Sequence, residues 1–286
     1  MSISRQNLSV IIVTLKSENV IHECIKSINQ NVPIIVVENS NNQKFKKDLE
    51  SQYKNLQCIL SGSNIGMGAG NNIGIKSAKT DYVYIINPDA TLEPNTLEEI
   101  FSASKKISGF SILSPINADL NFPNYKSVSK EKSDPFQVKY VDGFSMLINK
   151  KKFKENNYFD KNFFLYLENN DLCLRTTKAG GSIFIIPTAK INHGGAKTVD
   201  SKHKEEVELS RNWHWIWSKF YFNKKHFGFF KAIVECLPTY ISSILKYLFY
   251  SLINNNFKKK IYFNRASGFY NAFLGKSSWY RPKIDN

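Results

Sequence analysis

Apolar and β-branched residues run without a break from Leu8 to Leu15, a pattern that predicts a strand buried on both faces. The period then changes: Val20, Ile21, Cys24, Ile25 and Ile28 recur at helical spacing within Asn19 to Asn29. Val32 to Val37 and Leu56 to Leu60 read as further strands, Ile65 to Ala78 as a helix, and Tyr82 to Ile86 as a fourth strand. Glu93 to Lys105 is predicted helical, its start marked by Pro94 and by acidic residues in the first turn. Strands alternating with helices predict an α/β fold with a Rossmann-like, mostly parallel sheet flanked by helices. Right-handed crossovers then gather the loops that follow the strands on one edge, where such sheets bind ligands.

Beyond Ser108 the rhythm loosens. Pro115, Pro123 and Pro135, with scattered Asn and Lys, predict a loop-rich connection, and the loops around Ala118 to Pro135 are where specificity is expected. Val138 to Asn149 reads as a strand interrupted at Gly143. A helix from Glu168 to Ala179 stops at Gly180-Gly181, and Ser182 to Ile186 is one more strand. From His203 onward the chain is aromatic, basic and mainly helical. This divides it into a main α/β domain over 1–200, with halves at 1–107 and 108–200, and an extension over 201–286.

The extension holds Trp213, Trp215, Trp217, Phe220, Tyr221 and Phe222, then Val234, Leu237, Ile241, Ile244, Leu245, Leu248 and Leu252 at helical spacing. No uninterrupted apolar run reaches the roughly 18 to 20 residues of a membrane-spanning helix. An amphipathic, basic, aromatic segment suits the surface of an anionic membrane, and packing of these aromatics as core carries nearly equal weight.

Composition narrows the choice. Hydrophobic residues at 42% and charged residues at 22% exclude a disordered chain. The net charge of +15 asks for an anionic partner, and the first hundred residues are nearly balanced, so the excess lies later. Zinc-finger spacing, a basic zipper and RNP-type aromatic motifs are all missing from the sequence, which makes nucleic acid the weakest of the possible partners. Cys24, Cys58, Cys173 and Cys236 are widely separated and suit a reducing compartment. Ser9 to Leu15 is too short for a signal peptide, so a cytoplasmic location is expected.

Five segments carry candidate chemistry. Asn87-Pro88-Asp89-Ala90 sets a carboxylate just past a buried strand, where a hard cation finds an oxygen ligand; taken alone it equally makes a turn. Asn64 to Gly74 is rich in glycine and asparagine, which lets backbone approach a ligand, although Gly70 and Gly74 also fit tight helix packing. Glu38-Asn39-Ser40-Asn41 ends the second strand, where a carboxylate can accept from a base or ribose or simply sit in a loop. Glu168, Asp171 and Arg175 share one helix face, as a general base with supporting partners or as a salt-bridge stripe. His193, followed by two glycines, is a possible metal or phosphate ligand.

The order of these five segments, from Leu8 to about Lys197, resembles family 2 glycosyltransferases of the GT-A fold, above all the rhamnosyltransferase-like branch that builds bacterial surface polysaccharides. The resemblance implies an inverting transferase that uses a nucleotide-sugar donor (dTDP- or UDP-linked), Mg2+ or Mn2+, and a lipid-linked glycan acceptor, peripheral at the inner face of the plasma membrane. It places Thr14, Glu38, Asn39, Asn64, Gly66, Asn71, Asn87 and Asp89 on the donor. Asp89 stands at the DxD-like position and His193 completes the metal site; Glu168 and Asp171 lie in the acidic segment that supplies the base. Val141-Asp142-Gly143 falls in the acceptor-side strand. Two departures stand out: only the last acidic residue of the DxD-like motif remains, and Asn169 follows Glu168 where relatives carry an acid. Both leave room for an alternative, a non-catalytic nucleotide-sugar-binding relative that acts as a scaffold.

Overall fold

The computed structural model describes residues 3–107, 109–119, 133–153, 157–194 and 203–284. Most of the 118–135 loops, Ser108 at the boundary between the two halves, and residues 195–202 around the expected domain boundary lie outside the described residues. The chain divides into two compact units: residues 1–160 with 169–200, and residues 161–168 with 201–286. The short segment ending at Glu168 therefore groups with the C-terminal helices, which no sequence pattern announced.

In the first unit β1 (Leu8–Thr14), β2 (Ile34–Glu38), β3 (Leu56–Leu60) and β4 (Tyr82–Ile86) form a parallel array in the order β3-β2-β1-β4. Helices α1 (Ile21–Ser27), α2 (Gln43–Gln52) and α3 (Met67–Ser77) provide the crossovers, and α4 (Thr96–Lys106) follows the short strand β5 (Ala90–Leu92). Every residue of β1, β2 and β4 is buried, as continuous apolar runs demand. Helix α2 escaped the periodicity because only Phe45 and Leu49 face inward; the Asn42 side chain caps its start by accepting from the Phe45 amide at 3.1 Å. Helix α3 lies very close to β1. A Cβ on Gly70 would sit 2.8 Å from Val13 Cγ1, and one on Gly74 2.5 Å from Ile11 Cγ2, so both positions must be glycine for packing.

The second half of this unit departs from the expected loop-rich connection. Phe110–Asn117 forms β6, buried at all eight positions, and Ser111, Ser114 and Pro115 concealed it by breaking the apolar run. Pro115 is tolerated because the register to the neighbouring strand shifts between Pro115 and Ile116. The expected strand across Gly143 is two strands, β7 (Phe136–Val138) and β8 (Ser145–Asn149). After α5 (Glu168–Lys178), β9 (Ser182–His193) runs seven residues past its expected end at Ile186. The sheet continues β4-β8-β6-β9-β5 with β7 on β9. Here β8, β5 and β7 are antiparallel to their neighbours, so the sheet is mixed and parallel only among β1 to β4 and between β6 and β9.

The second unit consists of α6 (Lys204–Phe227), α7 (Phe229–Leu252) and α8 (Asn256–Phe273) with the tail after them. Trp213, Trp217, Phe220, Cys236, Phe269 and Ala272 form its own core. His214 is buried between two tail contacts, Ser278 Oγ on Nδ1 at 3.0 Å and the Tyr280 carbonyl on Nε2 at 2.9 Å; burial lowers its pKa to about 3, which keeps it neutral. Helix α7 is the opposite of α6. Ala232, Cys236 and Ser243 face inward, while Phe230, Val234, Leu237, Ile241, Leu245, Leu248 and Leu252 are exposed along one stripe. By length and composition α7 is long enough and apolar enough to cross a membrane, although its apolar residues never form one unbroken run. The extension thus divides as its two readings allowed: Trp213, Trp217 and Phe220 of α6 make core, while Trp215, Phe227 and the α7 stripe are exposed.

Candidate functional site

The carboxyl edge of the parallel strands collects polar atoms that the protein itself leaves unused. Thr14 ends β1 in register with Glu38 at the end of β2, and its carbonyl accepts from the Asn39 amide at 2.9 Å. Asn39 Nδ2 donates to the Gly66 carbonyl at 3.2 Å, tying the second loop to the third. Gly66 adopts φ +87 as it opens α3, a conformation that suits glycine, and its amide donates to Asn64 Oδ1 at 3.3 Å. Thr14 Oγ1, Asn39 Oδ1 and Asn71 Oδ1 are buried with no hydrogen-bond partner among the described residues. A buried acceptor without a donor costs roughly 1–3 kcal/mol, and these three lie at the end of β1, just after β2 and in α3.

Glu38 serves the loop. Its Oε1 accepts from the Ser40 amide (2.8 Å) and hydroxyl (2.5 Å), and its Oε2 accepts from the Asn42 amide at 2.7 Å. The side chain is completely buried, so it shapes the 38–42 loop from beneath.

The second cluster joins Asp89 to His193. Strand β5 pairs antiparallel with the end of β9, setting Ala90 opposite His193. This brings His193 Nε2 to 3.3 Å from Asp89 Oδ1, with both side chains nearly enclosed. The imidazole stacks on Phe144 with ring centroids 4.5 Å apart, and Asn117 Nδ2 holds the His193 carbonyl at 3.1 Å. Asn87 keeps its backbone in the sheet: its amide donates to Phe144 and its carbonyl accepts from the Ala90 amide and the Cys24 thiol. Burial, with the Asp89 charge second, pushes the Cys24 thiol far above its usual range, so it packs as an inert group. Phe144 and Asn117 went unnoticed in the sequence, because only the register of β5, β6, β8 and β9 makes them neighbours of His193.

One carboxylate and one imidazole are side chains of the kind that hold Mn2+ or Mg2+. Among the described residues no group of three His, Cys, Asp or Glu side chains converges to hold a metal ion by itself.

The third element is the start of α5. Glu168 Oε2 is buried with no hydrogen-bond partner among the described residues. Burial raises its carboxyl pKa to about 7, against a smaller lowering by its own backbone N–H. Asp171, fully buried, accepts from Arg175 Nε at 2.8 Å, the helical i,i+4 pair that the spacing implies. Arg175 also donates to the Asn157 carbonyl at 3.1 Å and to the Tyr158 carbonyl. Asn169 takes no part in this pair. Its Nδ2 donates to the Val141 carbonyl at 2.8 Å, and its Cβ would stand 3.3 Å from a Cβ at Gly143, so it braces the 141–143 turn.

Known proteins resemble this chain in sequence and in fold. The profile of "Glycosyl transferase family 2" matches residues 9–170. The chain is 26% identical over 227 residues to the low-salt glycan biosynthesis hexosyltransferase Agl10 of Haloferax volcanii, covering 72% of this chain and 69% of that one. It is 26% identical over 219 residues to the rhamnosyltransferase WbbL of Escherichia coli, covering 64% and 82% respectively. In fold it is similar to a mannosyltransferase of Pyrobaculum calidifontis in complex with GDP-Man and Mn2+, with a TM-score of 0.59 at 12% identity over 94% of this chain and 88% of that one. With more than half its length matched by the profile, the chain belongs to glycosyl transferase family 2.

Proposed function

We propose that this protein is an inverting glycosyltransferase that moves a hexosyl group, with rhamnose from dTDP-rhamnose as first candidate, to a lipid-linked or oligosaccharide acceptor in lipopolysaccharide, capsule or exopolysaccharide synthesis. The observation that carries the reading is the set of buried, unused oxygens of Thr14, Asn39 and Asn71 at the sheet edge. They fit the N–H and O–H donors of a nucleoside and its sugars. Asn64 and Gly66 shape the loop beside them, Glu38 supports the nucleoside loop, and Asn87 with Asp89 presents the diphosphate end. Asp89 and His193 would hold Mg2+ or Mn2+, whose charge, when bound, stabilises a departing diphosphate.

In the reaction an acceptor hydroxyl oxygen forms a bond to the anomeric carbon as the bond from that carbon to the diphosphate oxygen breaks. The hydroxyl proton passes to Glu168, and the nucleoside diphosphate leaves with the bonding pair. A carboxyl group poised near neutral pH suits this work, because it is ionised before the step and holds the proton after it. Asp171, committed to Arg175, is the second candidate for the base.

The acceptor's lipid accords with α7. Its exposed stripe carries no acidic residue, and Glu235 on the same helix is paired with Lys231 and Lys219. The region 201–286 is strongly basic, so an anionic bilayer surface complements it where a second copy would repel it. Lys231, Glu235 and Lys246 within α7, and its side packed on α6 and α8, favour a helix lying in the interface over one that spans it. The protein then works peripherally at the inner face of the plasma membrane.

The test is nucleotide release from a panel of dTDP-, UDP- and GDP-sugars with and without manganese. Asp89→Ala should fold normally yet lose metal-dependent donor binding, while His193→Ala should lose less, since water fills one coordination position. Full manganese-stimulated activity in Asp89→Ala removes that residue from the site. Donor binding without release or transfer by the unaltered protein would return the scaffold alternative.

A further inference from the structure

Immediately before Glu168 the chain does something costly: Tyr166 (φ +71) and Leu167 (φ +65) are consecutive left-handed residues, and neither is glycine. Side chains of this kind rarely adopt that region, and such strain persists only where surrounding contacts over-determine it. All but one of those contacts come from one helix. Arg211 Nε donates to the Tyr166 hydroxyl at 2.8 Å, and Trp215 meets the Tyr166 ring edge-on at 5.5 Å. Ser218, fully buried, donates its hydroxyl to the Leu165 carbonyl at 2.8 Å. His214 packs on Phe164 from one side and the Arg281 guanidinium lies 3.8 Å from that ring's centre. Tyr221 meets Phe163 at 4.9 Å and accepts from Asn162 at 3.1 Å. Residues 211, 214, 215, 218 and 221 recur at three- and four-residue intervals, so a single face of α6 grips residues 162–166 in succession.

We propose that α6 is the positioning element for the base: Arg211 and Ser218 hold the left-handed Leu165–Leu167 turn that presents the Glu168 carboxylate. The inference rests on Glu168 being the base and adds what sets its geometry. Without the grip, Tyr166 and Leu167 relax to ordinary backbone conformations, and the first residue of α5 turns with them. The consequence is confined to the chemical step, because none of these residues belongs to the donor loops. Arg211 and Ser218 are positioning residues.

The experiment measures kcat and both KM values for Arg211→Gln, Ser218→Ala and Tyr166→Phe in the full chain, with Glu168→Gln and Arg211→Lys alongside. Tyr166→Phe keeps the ring on Trp215 and removes only the hydroxyl that Arg211 grips, so it remains informative if another variant folds poorly. A small displacement of a reacting group costs roughly tenfold to a hundredfold in rate. The expected result is a kcat loss on that scale in all three, with donor KM unchanged and melting temperature close to that of the unaltered protein. Arg211→Lys, which still donates to the Tyr166 hydroxyl, should recover most of the rate. A merely structural role would move melting temperature and both KM values together and show no recovery with lysine. Normal kcat in the three variants beside an inactive Glu168→Gln overturns the positioning role alone; an active Glu168→Gln overturns the base assignment and this inference with it.

Discussion

Glu38 and Glu168 both carry carboxylate oxygens out of water, and their surroundings are opposites. Glu38, at the end of β2, receives three hydrogen bonds from residues 40–42 of its own loop. Glu168, at the head of α5, has an enclosed oxygen with no donor among the described residues, and its pKa rises to about 7. Donors compensate a buried charge, and burial without donors opposes it. The first arrangement ties its carboxylate into a loop; the second leaves a carboxyl that titrates near neutral pH, as the proposed base requires. Sequence position alone marks both as acids at loop ends, so the difference lies entirely in what each carboxylate meets.

That contrast can be broken most directly through turnover. Glu168→Gln preserves size and removes the base, and should lower kcat by about 10²-fold or more with donor affinity barely changed. In the unaltered protein kcat should rise with pH through about 7, as Glu168 ionises, and this limb should vanish in the variant. If Asp171→Asn abolishes turnover while Glu168→Gln does not, the two carboxylates exchange roles.

Stability sharpens the comparison, with effects of opposite sign. The folded-state pKa of Glu168 lies above its unfolded value of 4.5, so the stability linked to its protonation is complete below pH 4.5 and is lost as pH rises through about 7. Glu168→Gln should therefore be more stable than the unaltered protein at pH 8, by about 2 kcal/mol once the residue's partial exposure is allowed for, and equal to it near pH 4. Glu38→Gln should do the reverse at neutral pH, losing about 1–2 kcal/mol as an NH2 group turns toward backbone donors. Denaturant titrations of both variants at the two pH values check the pair; destabilisation by Glu168→Gln at pH 8 would contradict the desolvated carboxylate.

The smallest expected effect belongs to the exposed surface of α7. Flotation with anionic vesicles should show binding that falls with added salt, each basic residue near the surface contributing about 1 kcal/mol. Replacing Leu245 or Leu248 by Ser should weaken binding further without disturbing the core formed by Trp213 and Phe220, because both leucines are exposed. Binding that resists high salt and carbonate extraction would mean that α7 spans the bilayer.

Much of the donor half was legible along the chain. Tyr82–Ile86 is a strand at its expected limits, because a strand buried on both faces must be apolar at nearly every position; Leu56–Leu60 also matches its expected limits, although Gln57 is exposed. Gly70 and Gly74 could be suspected of serving packing, since glycine repeated every four residues on a helix permits close approach. Strand β6 was illegible: serines and a proline sit in a buried strand whose polar groups find partners only across the sheet, as Ser114 Oγ does on the Ser145 carbonyl at 3.1 Å.

The sequence by itself determined the alternation of strands and helices, the order of the chemical segments and the Asp171–Arg175 pair, all of which depend on residues near one another along the chain. Tertiary structure alone decided that His193 meets Asp89, through the Ala90–His193 register, and that Glu38 is satisfied where Glu168 is not. It alone decided that α6 grips the turn before Glu168. Periodicity is a local property, whereas burial and hydrogen-bond satisfaction depend on which distant segments arrive at the same place, and the reactivity of a carboxylate follows from the latter.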